Sequence, residues 1–250
     1  MGDMPIGKLL FRLSPPVMLA LLIQSIYNIV DSYFVAQYSL SGLTALSLVF
    51  PIQLLATALS TGAGTGLGIL IARMDGCGDT AAQRDTIKSG LWLGVFNFAL
   101  FACVSLAVLQ GYFALSSDQP MVRQQGIQYA QVVLAGSLGL FVESHCTKLL
   151  QARGKTLVPM LAQVTGAAIN IVLDSILIFG RLGAPALGVT GAALATVAGQ
   201  WAAMAITLAC GADVRLADLP RDRSAVGALC AGFLPGRVFS VKTPKCRIIF

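Results

Sequence analysis

The stretch Ser25-Ile-Tyr-Asn-Ile-Val-Asp-Ser-Tyr-Phe-Val35 places one acid, Asp31, near the end of an otherwise apolar segment. Residues 13–30, which precede it, contain no Asp, Glu, Lys or Arg, and a helix needs roughly that many residues to cross a bilayer core. A carboxylate inside such a segment is energetically costly and is therefore a candidate functional residue. The alternative is that Asp31 lies at the membrane interface and ends the helix. The apolar residues on both sides of Asp31 favour the first interpretation.

The composition of the chain indicates an all-α membrane protein. Charged residues make up 11% of the 250 residues and hydrophobic residues 56%, with a mean hydropathy of +0.79, whereas a soluble domain carries about 25% charged residues. Lipid can act as the solvent for a bundle of helices that has so few polar side chains. The segments without charges predict a bundle of six transmembrane helices, near residues 14–36, 44–72, 89–113, 125–150, 158–180 and 187–210.

The basic residues predict the orientation of this bundle. If the N-terminus is cytoplasmic, all 17 Lys and Arg residues except Arg123 and Arg181 fall on the cytoplasmic side. This bias follows the positive-inside rule and predicts a multi-pass protein of the plasma (inner) membrane with both termini in the cytoplasm. The net charge of +6 is then explained by topology, so a nucleic-acid partner is not expected.

Polar side chains in two predicted helices indicate an ion-binding pocket. Asn170 and Asp174 are four residues apart, so they share one helix face. Together with Asp31 and its upstream neighbours Gln24 and Asn28, they are expected to form one hydrated pocket. Two carboxylates close together in a low dielectric do not both stay ionised easily, so one holds a proton or the pair binds a cation such as Na+. The alternative is a structural polar cluster that only joins helices. No other metal and no organic cofactor is expected.

Four further polar positions lie in predicted helices. Thr196 and Gln200 are also four residues apart and are expected to face the same pocket. Glu143 and His145 are two residues apart in the fourth helix and therefore do not face each other. His145 is interpreted as a hydrogen-bonded packing residue, whereas the sequence leaves the role of Glu143 open.

Glycine and proline mark the first two helices. In Gly62-Ala-Gly-Thr-Gly-Leu-Gly68, Gly62/Gly66 and Gly64/Gly68 are each four residues apart, a spacing that favours close helix packing in lipid. A glycine-rich phosphate loop fits less well, because its last glycine would fall on Leu67. Pro16 is either a first-turn proline, which is well tolerated, or a bending point on roughly the same face as Asp31.

In the order in which they occur, these features resemble the N-terminal half of a multidrug and toxic compound extrusion (MATE) transporter. The resemblance rests on Pro16 with Tyr27-Asn-Ile-Val-Asp31, Pro51 with the glycine run, Ala72-Arg-Met-Asp-Gly-Cys-Gly-Asp79, Leu150-Gln-Ala-Arg-Gly154, Asn170 with Asp174, and Gly191-Ala-Ala-Leu-Ala-Thr196. It implies antiport of small cationic or amphiphilic compounds out of the cell against H+ or Na+. It also implies that Asp31, Asn170 and Asp174 form the coupling site, with Tyr129 and Thr196 as further members and Pro16 as the hinge of the first helix.

The resemblance also shapes the expected domain organisation. Family members have twelve helices in two lobes, and this chain supplies six. We expect a cytoplasmic segment at 1–12, the six-helix lobe at 13–210, a cytoplasmic inter-lobe loop at 211–224, and an aborted seventh helix with an aberrant basic tail at 225–250. The tail is interpreted as the end of a truncated or frame-shifted product that lacks its C-terminal lobe.

The sequence is also compatible with two other functions, a lipid-linked oligosaccharide flippase of the same superfamily and a membrane fragment that does not transport. The sequence gives no indication of an enzyme, because it has one His and neither an HExxH nor a GxSxG motif.

Overall fold

The computed structural model describes residues 6–77, 80–183 and 185–217. These residues form a helical bundle with short connections. In chain order the helices are α1 (Ile6–Tyr38), α2 (Leu40–Cys77), α3 (Thr80–Ser116), α4 (Pro120–Gly136), α5 (Leu138–Ala152), α6 (Leu157–Leu177) and α7 (Val189–Ala217). A single 3-10 turn at Arg181–Gly183 lies between α6 and α7.

The described helices agree with the predicted all-α membrane fold. Five of them are long and apolar enough to cross a bilayer, judged by length and composition. These segments are Leu13–Tyr38, Leu40–Asp75, Gln83–Ser116, Leu157–Leu177 and Val189–Gly211. The remaining predicted span, 125–150, is divided into α4 and α5, of 17 and 15 residues. Large apolar side chains such as Met18, Phe96 and Leu115 are exposed on the outside of the bundle, as lipid contact requires.

The division between α4 and α5 is a kink at Ser137, which the sequence analysis did not predict. The Ser137 hydroxyl donates to the Leu134 carbonyl at 2.8 Å. In a regular α-helix this carbonyl would accept a hydrogen bond from the backbone N–H four residues later. The neighbouring Gly136 carbonyl accepts a hydrogen bond of 2.9 Å from the indole N–H of Trp201 in α7. A Gly-Ser pair is one of the usual causes of a sharp helix kink, so the predicted single helix was wrong at this point.

The first helix begins earlier than predicted. α1 starts at Ile6, so most of the predicted N-terminal segment 1–12 is helical, and Pro15 and Pro16 lie inside the helix. Pro16 is therefore not a first-turn proline. Each proline lacks the N–H that would bond to the carbonyl four residues earlier, so α1 has a weakened backbone ladder at this level.

Only Ser39 separates α1 from α2, although the first two predicted helices ended near residue 36 and began near residue 44. The Ser39 hydroxyl accepts a hydrogen bond from the Gly42 N–H at 3.2 Å. This is the N-cap geometry that satisfies a free donor at the start of a helix. The connection is short because a single capping side chain is sufficient to begin α2.

At the other end of the bundle, α5 ends in the Leu150-Gln-Ala-Arg-Gly154 motif. Gly154 has a φ of 75°, and its N–H bonds to the Gln151 carbonyl at 2.9 Å. The Lys155 N–H reaches the Leu150 carbonyl, also at 2.9 Å. These two bonds form a Schellman motif, which needs a left-handed residue that glycine adopts without strain.

Small residues set the closest helix contacts. A Cβ added at Gly64 would lie 3.2 Å from the Ser144 carbonyl of α5, and one added at Gly68 would lie 3.3 Å from the Lys148 carbonyl. The prediction of close packing is thus confirmed for Gly64 and Gly68. It is wrong for Gly62 and Gly66 within this bundle, because their Cβ positions meet nothing within 4 Å in the described chain. α7 packs against α4, α5 and α6, whereas α1 packs mainly on α6.

At the end of the described chain, α7 continues to Ala217, past the predicted boundary at residue 210. The remainder of the predicted inter-lobe loop, the predicted seventh helix and the basic tail lie outside the described residues.

Candidate functional site

Three helices place an amide and two hydroxyl groups at the centre of the bundle. Asn170 of α6 donates through Nδ2 to Thr196 Oγ1 of α7 at 3.4 Å. Tyr129 of α4 lies within hydrogen-bonding reach of Thr196, and its hydroxyl accepts from Gln53 Nε2 of α2 at 3.4 Å. One polar network therefore joins α2, α4, α6 and α7.

Two carboxylates lie beside this network. Asp31 of α1 is 6% exposed and Asp174 of α6 is 0% exposed, and the two interact electrostatically. Asp31 Oδ1, Asn170 Oδ1 and both carboxylate oxygens of Asp174 are buried without a hydrogen-bond partner in the described part of the chain. Buried polar oxygens are costly unless something compensates them, so this arrangement is suited to holding a proton or a small cation.

Asp31 opens into a cavity of about 160 Å³ between α1, α2, α4 and α7. The other predicted polar residues of α1 and α7, namely Gln24, Asn28, Thr196 and Gln200, line the same cavity, as does Tyr129. Its remaining wall is largely apolar and includes Phe50, Leu54 and Val133. A cavity of this kind offers a polar end for an ion and an apolar side for an organic molecule.

A second cavity of about 50 Å³ adjoins the first and shares Gln24, Tyr27, Leu140, Thr196 and Gln200 with it. Its wall also contains Asn170, Glu143 of α5 and Gln163 of α6. The single predicted pocket is therefore divided: Asp31 lines the larger cavity, Asn170 lines the smaller one, and Asp174 is not among the described residues that line either.

Sequence reasoning missed Gln53 and Gln163 and left Glu143 open. Gln53 is a polar residue inside the charge-free run of α2, two positions after Pro51, and this isolation was a usable signal. Gln163 gave no comparable signal, because it lies near the end of a predicted helix, where polar residues are ordinary. Its role depends on α5 packing beside α6, which no local pattern specifies.

Two other predicted residues lie apart from this centre. His145 is buried, and its Nδ1 lies 2.8 Å from the Phe141 carbonyl oxygen. Because a carbonyl can only accept, Nδ1 carries the proton, which agrees with the interpretation of His145 as a packing residue. Pro16 lies near the beginning of α1, about four helical turns before Asp31.

No group of three or more His, Cys, Asp or Glu residues is arranged to hold a metal ion within the described ranges. Carboxylate, amide and hydroxyl oxygens can bind a monovalent cation without such a group, and Asp31, Asn170 and Asp174 supply carboxylate and amide oxygens.

Comparison with known proteins identifies the family. The sequence profile described as MatE matches residues 16–176, a range that contains Asp31, Glu143, Asn170 and Asp174. The chain belongs to the MatE family. MatE proteins are transporters, so an enzymatic role is excluded, in agreement with the sequence analysis.

Individual MatE relatives are similar over a large part of the chain. A probable multidrug resistance protein NorM from Thermotoga maritima is 27% identical over 194 residues, which cover 77% of this chain and 41% of the relative. A FAD transporter from Shewanella oneidensis is 25% identical over 197 residues, which cover 77% of this chain and 43% of the relative. The chain thus spans well under two thirds of the length of these relatives.

Solved structures show the same fold. A MOP superfamily transporter from Pyrococcus furiosus, described as having a binding pocket of reverse polarity, matches with a TM-score of 0.76 and 29% identity, covering 92% of this chain and 48% of that chain. An outward-facing multidrug resistance MATE transporter matches with the same TM-score and identity, covering 49% of that chain. This chain is therefore folded like one lobe of these MatE transporters.

Proposed function

We propose that this chain is the N-terminal lobe of a secondary antiporter that exports cationic or amphiphilic compounds in exchange for H+ or Na+. The observation that carries the proposal is the pair Asp31 and Asp174, two buried carboxylates that interact with each other and have unpartnered oxygens. Two acids in a low dielectric repel each other when both are ionised, and a bound proton or cation relieves that repulsion. The site can therefore exist in a loaded state and in an empty state. Alternation between such states is what coupled exchange requires.

Asn170, Thr196 and Tyr129 complete the proposed coupling site. Asn170 donates to Thr196, so its carbonyl oxygen remains available to a cation or to a protonated carboxyl. Tyr129 links the network to Gln53 on the side of the larger cavity. Gln24, Asn28 and Gln200 line that cavity next to Asp31 and are assigned to substrate contact.

Pro16 is proposed as the hinge of α1. The helix that carries Asp31 has two prolines in its first half, and α1 packs mainly on α6. A change of charge or protonation at Asp31 alters the contacts of α1, and the interrupted backbone ladder at Pro15 and Pro16 is where the helix yields most easily.

The proposal includes a second lobe and a defined orientation. The chain spans about half the length of the solved relatives, and we propose that a C-terminal lobe completes the substrate pathway, a place that a second copy of this chain takes when it is reconstituted alone. The proposed location is the inner membrane, and the distribution of basic residues favours an orientation with both termini in the cytoplasm. Membrane lipid then contacts the exposed apolar side chains of the bundle.

The described residues that line the two cavities include no Arg or Lys. A flippase for a lipid-linked oligosaccharide pyrophosphate would need positive groups there, so the cavity chemistry favours export of cations. The relatives named for multidrug resistance and for FAD transport indicate organic substrates.

The test is exchange by the full chain reconstituted in liposomes. Efflux of a fluorescent cation, ethidium, is measured under an imposed proton or sodium gradient in the parent chain, in Asp31→Asn and in Asp118→Asn, whose carboxylate is exposed in the loop between α3 and α4. We expect efflux in the parent and in Asp118→Asn and its loss in Asp31→Asn. Efflux at the parent rate in Asp31→Asn would overturn the coupling assignment, and no efflux from the parent chain would favour the non-transporting fragment.

A further inference from the structure

Glu143 is a buried acid that the proposed coupling site does not use. It lies on α5 and is 5% exposed. Its Oε1 accepts a hydrogen bond of 2.6 Å from Thr147 Oγ1 and one of 3.1 Å from Gln163 Nε2 of α6. Both bonds fall on the same oxygen, so they hold the carboxylate in place and leave Oε2 for a further partner.

The charge of Glu143 is not neutralised by a contact ion pair within the described helices. Lys148 interacts with it electrostatically, but the Lys148 side-chain stem packs on α2, where its Cγ lies 3.1 Å from the Cβ position of Gly64. No Lys or Arg nitrogen lies within 4.0 Å of the Glu143 carboxylate in the part of the chain that the structure describes. A buried carboxylate held by neutral donors and without a contact cation is suited to bind a cation from the cavity that it lines.

The wall around Glu143 carries further groups that recognise a cation. The Gln200 side-chain oxygen is buried without a hydrogen-bond partner among the described residues, and Gln200 lines the same cavity. Tyr27 also lines it and interacts electrostatically with both Glu143 and Asp31. A carboxylate, an amide oxygen and an aromatic side chain are the groups that bind an organic ammonium.

The shapes of the two cavities restrict the ligand further. The cavity at Glu143 measures about 50 Å³, which is enough for an ammonium head but not for the body of a drug-sized molecule. It adjoins the cavity of about 160 Å³ whose wall includes Phe50, Leu54 and Val133. A ligand that fills both cavities has a small cationic head and an apolar body.

We propose that Glu143 anchors the ammonium head of an organic monocation, at a position separate from the carboxylates Asp31 and Asp174. This inference rests on the proposed function and specifies its substrate class. Glu143 is then the specificity-determining residue for positive charge, and Thr147 and Gln163 are the positioning residues that orient its carboxylate. An inorganic ion is less suited to this position, because it would leave the apolar wall of the adjoining larger cavity without a ligand.

The test is binding of dansylcadaverine, a primary ammonium with a fluorescent apolar body, to the purified full chain in nanodiscs. Its N-acetyl derivative, which has no charge, is the matched ligand. The variants are Glu143→Gln, which keeps the shape and the hydrogen-bonding capacity of the side chain, and Asp118→Asn, which removes an exposed carboxylate in the loop between α3 and α4.

We expect Glu143→Gln to weaken dansylcadaverine binding by about tenfold or more, since it removes a charge-assisted contact. Binding of the N-acetyl derivative should change little, and Asp118→Asn should bind both ligands like the parent chain. Equal dansylcadaverine affinity in the parent chain and Glu143→Gln would overturn the inference, as would the absence of binding to the parent chain. Loss of sodium binding in Glu143→Gln with unchanged dansylcadaverine affinity would also overturn it.

The inference and the proposed function fail in different measurements. If Asp31→Asn abolishes exchange but Glu143→Gln binds dansylcadaverine like the parent chain, only the inference fails. If Glu143→Gln loses dansylcadaverine but Asp31→Asn exchanges like the parent chain, the coupling assignment fails and the ammonium site remains.

Discussion

Gly166 and Gly199 bring the backbones of α6 and α7 into direct contact. A Cβ added at Gly199 would lie 2.7 Å from the Gly166 carbonyl oxygen, and one added at Gly166 would lie 2.8 Å from the Gly199 carbonyl oxygen. Such approach is possible only between residues without side chains. Asn170 lies one turn beyond Gly166 on α6, so this contact fixes the distance at which Asn170 meets Thr196.

The first prediction is that Gly199→Ala destabilises the bundle. The added methyl group must displace backbone atoms of α6, and overpacking of this kind costs about 1–3 kcal/mol. Thermal unfolding in detergent, followed by thiol accessibility or by light scattering, measures the effect. Gly62→Ala is the control, because no atom of the described ranges lies within 4 Å of its Cβ position and Ala favours a helix. Equal melting temperatures for the two variants would contradict the prediction.

The second prediction concerns the stability of the coupling site. Asp174→Asn should leave the free energy of unfolding unchanged or raise it, because the amide removes the penalty of an ionised group at a position with 0% exposure. Thermal unfolding at neutral pH compares Asp174→Asn with the parent chain and with Asp118→Asn. A large loss of stability in Asp174→Asn alone would mean that the carboxylate is a structural contact that the fold requires.

The third prediction is that Trp201 stabilises the kink between α4 and α5. Trp201→Phe keeps an aromatic ring but removes the N–H that bonds to the Gly136 carbonyl. Loss of one such bond costs about 1 kcal/mol, which corresponds to a decrease in melting temperature of roughly 2–4 °C for a chain of this size. An unchanged melting temperature would show that the carbonyl at the kink finds another partner.

The fourth prediction concerns orientation. Asp118 lies between α3 and α4, and Lys155 lies between α5 and α6, at the opposite end of the bundle; both are exposed. In intact cells a membrane-impermeant maleimide should label Asp118→Cys and should not label Lys155→Cys until the cells are opened. The unmodified chain gives the background from its own cysteines. The reverse pattern would place both termini outside the cytoplasm.

The sequence predicted those parts of the site that depend on one helix. Asn170 and Asp174 share a face because their spacing is close to one helical turn, and no tertiary information is needed for that. Asp31 became a candidate because of its apolar surroundings, and its buried position is confirmed. Glu143 with Gln163 was not predictable in the same way, because the two residues meet only after α5 and α6 pack, and this packing depends on side-chain shape along both helices.

The helix boundaries differ for a related reason. Charge-free runs mark the part of a helix that lies in hydrocarbon, but a helix need not end where the membrane does. α3 therefore begins at Thr80 and includes Arg84 and Lys88, although its predicted start was residue 89. The kink at Ser137 was missed because Gly136-Ser137 lies in a continuous apolar pattern, and the partner that accommodates the bend, Trp201, comes from a distant part of the chain.

The position of Tyr27 between two acids has a thermodynamic consequence. Its side chain interacts electrostatically with Asp31 and with Glu143, and it lines both cavities. A positive charge beside one acid is therefore close enough to affect a positive charge beside the other. Two cations in adjoining low-dielectric cavities repel each other. Thermodynamic linkage makes the effect reciprocal, so each cation lowers the affinity for the other by the same factor, whichever binds first. If cations occupy both proposed sites, each therefore weakens the binding of the other before any helix moves.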